Sequence, residues 1–294
     1  MSRIVCLGDL MVDVLALLPG PLVTGSDVPA PISFSDGGSA ANTAAWLAEL
    51  GADTVFAGRV GADAFGQAAV QRLRDQGVTT RVSIDPSTPT GVCLVLISPD
   101  GERTMVPSAG ANGTLSPADL SDPPLVGAGD RLHLSGYALL NEGSRAAARH
   151  ALAGAVEAGV PVSVDAASAA PIRALGGPRL LEWLPAGALL IANTDELAAM
   201  TDDDPAGPTM LAARGFTAVI KDGPRGASLV HAGRRHELPT EPVPVLDSTG
   251  AGDAFAAGLL AALHGGEKLL QAVAAGNRAG ARALRTVGGR PEIK

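Results

Sequence analysis

The run Leu246-Asp247-Ser248-Thr249-Gly250-Ala251-Gly252-Asp253-Ala254-Phe255 holds the residue types best suited to chemistry. Small residues precede an acid, and the strongly apolar stretch from Phe255 to Leu263 follows. Small residues let a backbone come close to a ligand. The free N–H groups at the start of a helix point at one spot and carry the positive end of its dipole. Gly250, Ala251 and Gly252 therefore predict an anion site suited to phosphate. An aspartate there is not a phosphate ligand, because like charges repel. Asp253 reads instead as a general base facing a nucleophilic hydroxyl. N–H groups beside a base suit a phosphoryl transfer, with the growing charge stabilised electrostatically.

The chain contains its own control. Gly127-Ala128-Gly129-Asp130 has the same four letters but lacks the upstream Asp-x-Thr and runs into the strand-like stretch 131–135. It reads as a turn before a strand. The patterns G-x-x-x-x-G-K-[ST] and strand-linked G-x-G-x-x-G are absent, which argues against a Walker-type NTPase and a dinucleotide oxidoreductase.

The elements that must position these residues alternate. Strands are predicted at 3–7, 54–58, 131–135, 160–164, 188–192 and 217–221. Helices are predicted at 39–50, 65–76, 144–158, 195–200, 251–264 and 268–284. Parallel strands need crossover helices, so the alternation predicts an α/β fold with a doubly wound, mostly parallel sheet flanked by helices. Residues 13–35 and 88–108 break the rhythm. Val92–Ile97 is an apolar run, and Ser98-Pro99-Asp100-Gly101 is a turn signal, so a β-hairpin is expected there. Both stretches read as one small β lid inserted into a core of residues 1–12, 36–87 and 109–294. A small sheet cannot bury both faces alone. It is expected to cover the active-site edge, or to pair two subunits as a homodimer.

Composition narrows the class. The 294 residues are 46% hydrophobic and only 3% aromatic, so Ala, Val and Leu must fill the core. A net charge of −8 argues against nucleic-acid binding, which needs a basic face. Lysine occurs only at 221, 268 and 294. Cys6 and Cys93 lie in apolar runs, as suits thiols in a reducing cytoplasm. No Cys/His spacing fits zinc. No apolar run approaches the roughly 20 residues that span a bilayer. Asp9 follows the first strand too soon for a signal peptide.

Several motifs, in order along nearly the whole chain, resemble the ribokinase-like (PfkB) carbohydrate kinases. Asp247–Phe255 is similar to their C-terminal signature, and Gly37-Gly38-Ser39-Ala40-Ala41-Asn42 to their Gly-Gly motif. Val60-Gly61-Ala62-Asp63-Ala64-Phe65-Gly66 and Asn193-Thr194-Asp195-Glu196 resemble two further family motifs, though Ala192 replaces the usual Pro. Asp100–Arg103 through Gly110–Asn112 also looks ribokinase-like.

The resemblance implies ATP-dependent phosphorylation of a sugar hydroxymethyl group. Asp253 would be the catalytic base, and the backbone of Gly250 to Asp253 the anion hole. Asp13, Gly38, Asn42 and Tyr137 would bind the sugar. Lys221, Gly223, Gly226 and Asn277 would line the nucleotide site together with Asn193, Gly250 and Gly252. Asn193 and Glu196 would hold Mg²⁺ through water. Asp247 and Thr249, with backbone around Arg285 and Gly288, match a site for a monovalent cation, usually K⁺. Glu292 stands where ribokinase proper has Ser, and Ser39 where it has Lys. His133-Leu134-Ser135-Gly136-Tyr137 and Asp165-Ala166-Ala167-Ser168 match neither well-known subgroup. Two alternatives stay open. One is a nucleoside kinase of adenosine type, with Phe34 among few candidates for a purine wall. The other is a catalytically silent sugar-binding regulator on the same fold.

Overall fold

The computed structural model describes residues 2–100 and 102–292. In chain order the strands are β1 (Ile4–Leu7), β2 (Met11–Leu17), β3 (Ile32–Gly37), β4 (Thr54–Gly61), β5 (Thr79–Asp85), β6 (Gly91–Ile97), β7 (Arg103–Ser108), β8 (Arg131–Ser135), β9 (Val162–Asp165), β10 (Leu189–Asn193), β11 (Thr217–Lys221), β12 (Ala227–His231) and β13 (Arg234–Leu238). The α-helices are α1 (Ser39–Glu49), α2 (Ala64–Asp75), α3 (Ala118–Ser121), α4 (Tyr137–Leu140), α5 (Arg145–Glu157), α6 (Ala169–Leu175), α7 (Gly177–Glu182), α8 (Thr194–Met200), α9 (Gly207–Ala213), α10 (Ala251–His264) and α11 (Leu269–Ala283).

Among the described residues the strands form two sheets. The large one has the order β13-β12-β11-β10-β9-β8-β1-β4-β5. It is parallel from β11 to β5, while β12 and β13 are antiparallel additions. Strand β1 shows why both faces are covered. Val5 and Leu7 enter one hydrophobic core, and Ile4 and Cys6 enter the other. Helices α5 to α9 fill the first core, and α1, α2, α10 and α11 the second. Ala, Leu and Val dominate both cores, with Trp46 and Phe56 among the few buried rings.

The order β8-β1-β4 places β1 where the winding reverses. Ligands of open α/β sheets bind outside the carboxyl ends of the strands at such a switch point. The carboxyl ends here deliver Gly8 and Asp9 after β1, Ser135 on β8, Asp165 on β9, Asn193 on β10 and Lys221 on β11.

The small sheet has the order β3-β2-β6-β7. Its strands come from the two stretches that broke the α/β rhythm, and the ladder continues outward to the pair Met11 and Gly37. Strands β6 and β7 form the expected antiparallel hairpin, with Ile97 opposite Arg103. Gly101 of its turn, and Lys294, lie outside the described residues. The control tetrapeptide is a turn. Asp130 N–H donates to the Gly127 carbonyl, and the Asp130 carboxylate pairs with Arg3.

Candidate active site

Helix α10 begins on Gly250, whose φ of 72° is left-handed. A Cβ at Gly250 would lie 2.4 Å from the Gly289 carbonyl, so only glycine fits this corner. Ala251 N–H turns back to the Ser248 carbonyl at 3.3 Å. Among the described residues nothing accepts from the N–H groups of Gly252 and Asp253. The Gly250 N–H meets no acceptor among them either, so three of the four N–H groups from Gly250 to Asp253 are left without an intramolecular partner.

The Asp253 carboxylate sits one turn into α10 and reaches across to α1. Ser39 Oγ donates to Oδ1 at 2.8 Å, and Asn42 Nδ2 donates to Oδ2 at 2.9 Å. Burial pushes its carboxyl up to about 7, although the Asn42 and Ser39 hydrogen bonds pull the other way. A carboxylate with such a value is matched to proton abstraction near neutral pH.

On the side formed by β1, α1 and the lid, Gly38 has a φ of 94°, and a Cβ there would lie 2.5 Å from the Asp9 carbonyl. Asp9 caps α1 from a distance, accepting from Ser39 N–H at 2.9 Å. Asp13 projects from lid strand β2 and packs over Gly37. Its carboxylate accepts no hydrogen bond among the described residues. Burial pushes it up to about 6, against the pull of Arg290. Asn42 is anchored from behind: buried Arg290 donates from Nε to its Oδ1 at 3.0 Å and from Nη2 to the Gly37 carbonyl at 2.9 Å. Tyr137 opens α4 with its ring partly exposed, near Asp9, Asp165 and Glu196. Burial and those charges push its phenol upward. His133 is fully buried and shares a hydrogen bond with Ser163 at 3.1 Å; burial pushes it down to about 4. It is a neutral core residue.

The side formed by the carboxyl ends of β9, β10 and β11 is more tightly tied than the resemblance implied. Lys221 is not a solvated strand-end lysine. Its ammonium pairs with Asp165 at 3.0 Å and lies 3.2 Å from where a Gly252 Cβ would be. Burial would lower it, but Asp165 and Glu196 together hold it above the ordinary lysine value. Asn193 and Glu196 form a reciprocal capping box on α8. Burial pushes Glu196 up to about 7. Gly223 and Gly226 flank the turn between β11 and β12. Asn277 is buried in α11 and donates to the Leu238 carbonyl at 3.0 Å, so it holds the end of β13 in place.

No group of three or more His, Cys, Asp or Glu side chains able to hold a metal occurs among the described residues. Asn193 and Glu196, the pair to which the resemblance assigns Mg²⁺ through water, hydrogen-bond each other. The monovalent-cation residues behave differently. Asp247 accepts from Thr249 N–H at 2.7 Å and from Gly288 N–H at 2.9 Å. Its Oδ1 also pairs with Arg103 of β7. Arg285 is exposed just past α11. Burial would raise the Asp247 carboxyl, but these N–H groups and Arg103 hold it below the usual carboxylate range.

Sequence reasoning did not assign roles to Ser39, Asp9, Asp165, Arg103 or Arg290. Asp165 could have been found as a charge at a strand's carboxyl end. The two arginines gave no local signal, since Arg103 lies 144 residues from Asp247 and Arg290 lies 248 from Asn42.

Residues 1–294 match the description "pfkB family carbohydrate kinase". A fructokinase of Klebsiella pneumoniae is 35% identical over 280 residues, covering 90% of this chain and 86% of that protein. The adenosine kinase structure from Sinorhizobium meliloti superposes with a TM-score of 0.87 at 25% identity, covering 99% of this chain and 96% of that one. A double mutant of Vibrio cholerae fructokinase, solved with fructose, ADP and potassium ion, superposes with a TM-score of 0.83 at 27% identity, covering 100% and 95%. Fold, site and relatives together define a phosphotransferase with an alcohol group as acceptor. The chain belongs to the pfkB family of carbohydrate kinases, and its reaction class is ATP-dependent sugar phosphorylation.

Proposed function

We propose that this chain transfers the γ-phosphoryl group of ATP to the exocyclic hydroxymethyl group of a free sugar, with Asp253 as general base. One observation carries the reading. The Asp253 carboxylate, held by Ser39 and Asn42, belongs to the first turn of α10, where the N–H groups of Gly252 and Asp253 have no acceptor of their own among the described residues. A hydroxyl placed there meets a base and an anion hole together. Asp13, whose carboxylate has no hydrogen-bond donor of its own, accepts from two neighbouring hydroxyls of the sugar. Gly38 and Asn42 fix its orientation, and Tyr137 closes the far wall. The Gly252 and Asp253 N–H groups receive the γ-phosphate, and Lys221, flanked by Gly223 and Gly226, reaches the phosphates. Asn277 shapes the base pocket by holding the end of β13. Asn193 and Glu196 would hold Mg²⁺ through water, and the ion would supply charge neutralisation at the phosphates.

Fructose is the first sugar to test, since the Klebsiella and Vibrio relatives are fructokinases. The adenosine kinase likeness keeps nucleosides as a second reading. Phe34 gives that reading little support. It alternates to the face of β3 opposite the one that pairs with Asp13, and it is 63% exposed while stacking on Phe65. A silent regulator would have no use for an intact base. The decisive experiment is a coupled ADP-release screen over hexoses, pentoses, keto-deoxy acids and nucleosides. Turnover of fructose or ribose supports the proposal. Turnover of adenosine alone selects the nucleoside kinase. Sugar-induced thermal shifts with no turnover select the regulator.

The lid face opposite Asp13 exposes Ile32, Phe34, Leu94 and Val106. We assign this face to a second copy of the chain, giving a homodimer joined through the lids. No described helix is long and apolar enough to cross a membrane. Two free buried thiols suit a cytoplasmic enzyme.

A further inference from the structure

The family resemblance implies a monovalent cation on Asp247 and Thr249 with backbone around Arg285 and Gly288, and the side-chain donors of that set do not fit one. The guanidinium of Arg103 already lies on those groups. Its Nη2 donates to Asp247 Oδ1, and its Nη1 donates to Thr249 Oγ1 at 2.6 Å and Ser248 Oγ at 3.3 Å. Oδ1 of Asp247 also accepts the Thr249 N–H, and Oδ2 accepts the Gly288 N–H. A free cation bound to the same carboxylate would stand against the guanidinium, and like charges in contact repel.

We propose that Arg103 is a tethered cation that does in this chain what a free monovalent ion would otherwise have to do. It neutralises Asp247 and holds the Ser248–Gly250 loop from which α10 starts. Gly250 is wedged against Gly289, and the Gly252 and Asp253 N–H groups follow within one turn. The loop's position therefore sets where those N–H groups point. Arg103 is the first residue of β7, so this cation belongs to the lid. The anion hole reaches its final geometry only with the lid's hairpin down upon it. Arg103 touches neither sugar nor the transferred group, so it is a positioning residue.

This inference rests on the kinase reading, and its test separates the two. Rates and melting temperatures are measured in KCl and in choline chloride at equal ionic strength, for the wild type and for Arg103→Ala. Wild type is expected to show the same rate and the same melting temperature in both salts. Arg103→Ala is expected to lose about tenfold to a hundredfold in kcat. K⁺ should restore part of that rate and raise the variant's melting temperature above its value in choline. Arg103→Gln, which retains much of the side chain's bulk, is measured in the same way in case the alanine variant folds poorly. A wild type that K⁺ activates severalfold or stabilises would overturn the proposal. So would a variant that loses no rate, or one whose melting temperature ignores K⁺. If no sugar is phosphorylated at all, the kinase reading fails, and the melting temperatures alone decide on the cation.

Discussion

Asp253 is held by a relay of three side chains. Arg290 Nε donates to Asn42 Oδ1, which leaves the Asn42 amide only one way to face, with Nδ2 on Asp253. Ser39 supplies the other donor. Asp253→Asn keeps the shape and removes the base, so kcat should fall by about 10²–10⁴-fold while nucleotide still binds. Single-turnover rates and ADP titration measure the two separately. The direction of its titration gives a second prediction. The free carboxyl ionises near 3.8, and the folded one near 7. The base form is lost as pH falls through about 7, so kcat/KM should drop on that acid limb. Between those two values the unfolded chain is ionised and the folded chain is not, so this group makes the protein less stable as pH rises. The stability gained on Asp253→Asn should therefore grow between pH 4 and pH 8 in denaturant melts.

The helix that carries Asp253 is positioned by two glycine contacts. A Cβ on Gly258 would lie 2.6 Å from Ala279 Cβ of α11, and one on Gly276 would lie 3.0 Å from the Phe255 carbonyl. Gly258→Val should cost about 1–3 kcal/mol of stability through overpacking, read as a lowered denaturation midpoint. It should also lower kcat, because the tilt of α10 sets the anion hole. Helix α10 was legible in the sequence because its apolar run and its glycine start coincide in Gly250 to Leu263. Strands β5, β12 and β13 were not. Thr79–Asp85 and Arg234–Leu238 are mostly polar and lie toward the two ends of the large sheet, so no apolar alternation marks them. The glycines and Asp253 were legible because their chemistry is local. Ser39, Arg103 and Arg290 were not, because each acts on a partner brought near only by the fold.

At the scale of the whole molecule, the two faces of the small sheet differ in character. Asp13 and Arg103 pair with Ser35 and Ile97 respectively, and both reach toward the cleft. Ile32, Phe34, Leu94 and Val106 form the opposite, exposed apolar face. If that face joins two copies as proposed, a charge placed there should split the dimer. Phe34→Glu is expected to halve the sedimenting mass in analytical ultracentrifugation. It should also weaken sugar affinity, because an unsupported small sheet is only marginally ordered.

The relay behind Asp253 also constrains when the enzyme can first act. Strand β1 and helix α1 emerge from the ribosome early, yet Ser39 must wait for Asp253, and Asn42 for Arg290. Chains elongate at roughly 5–20 residues per second. A nascent chain can therefore bury much of its sheet while Asp253 still lacks the arginine that steers Asn42.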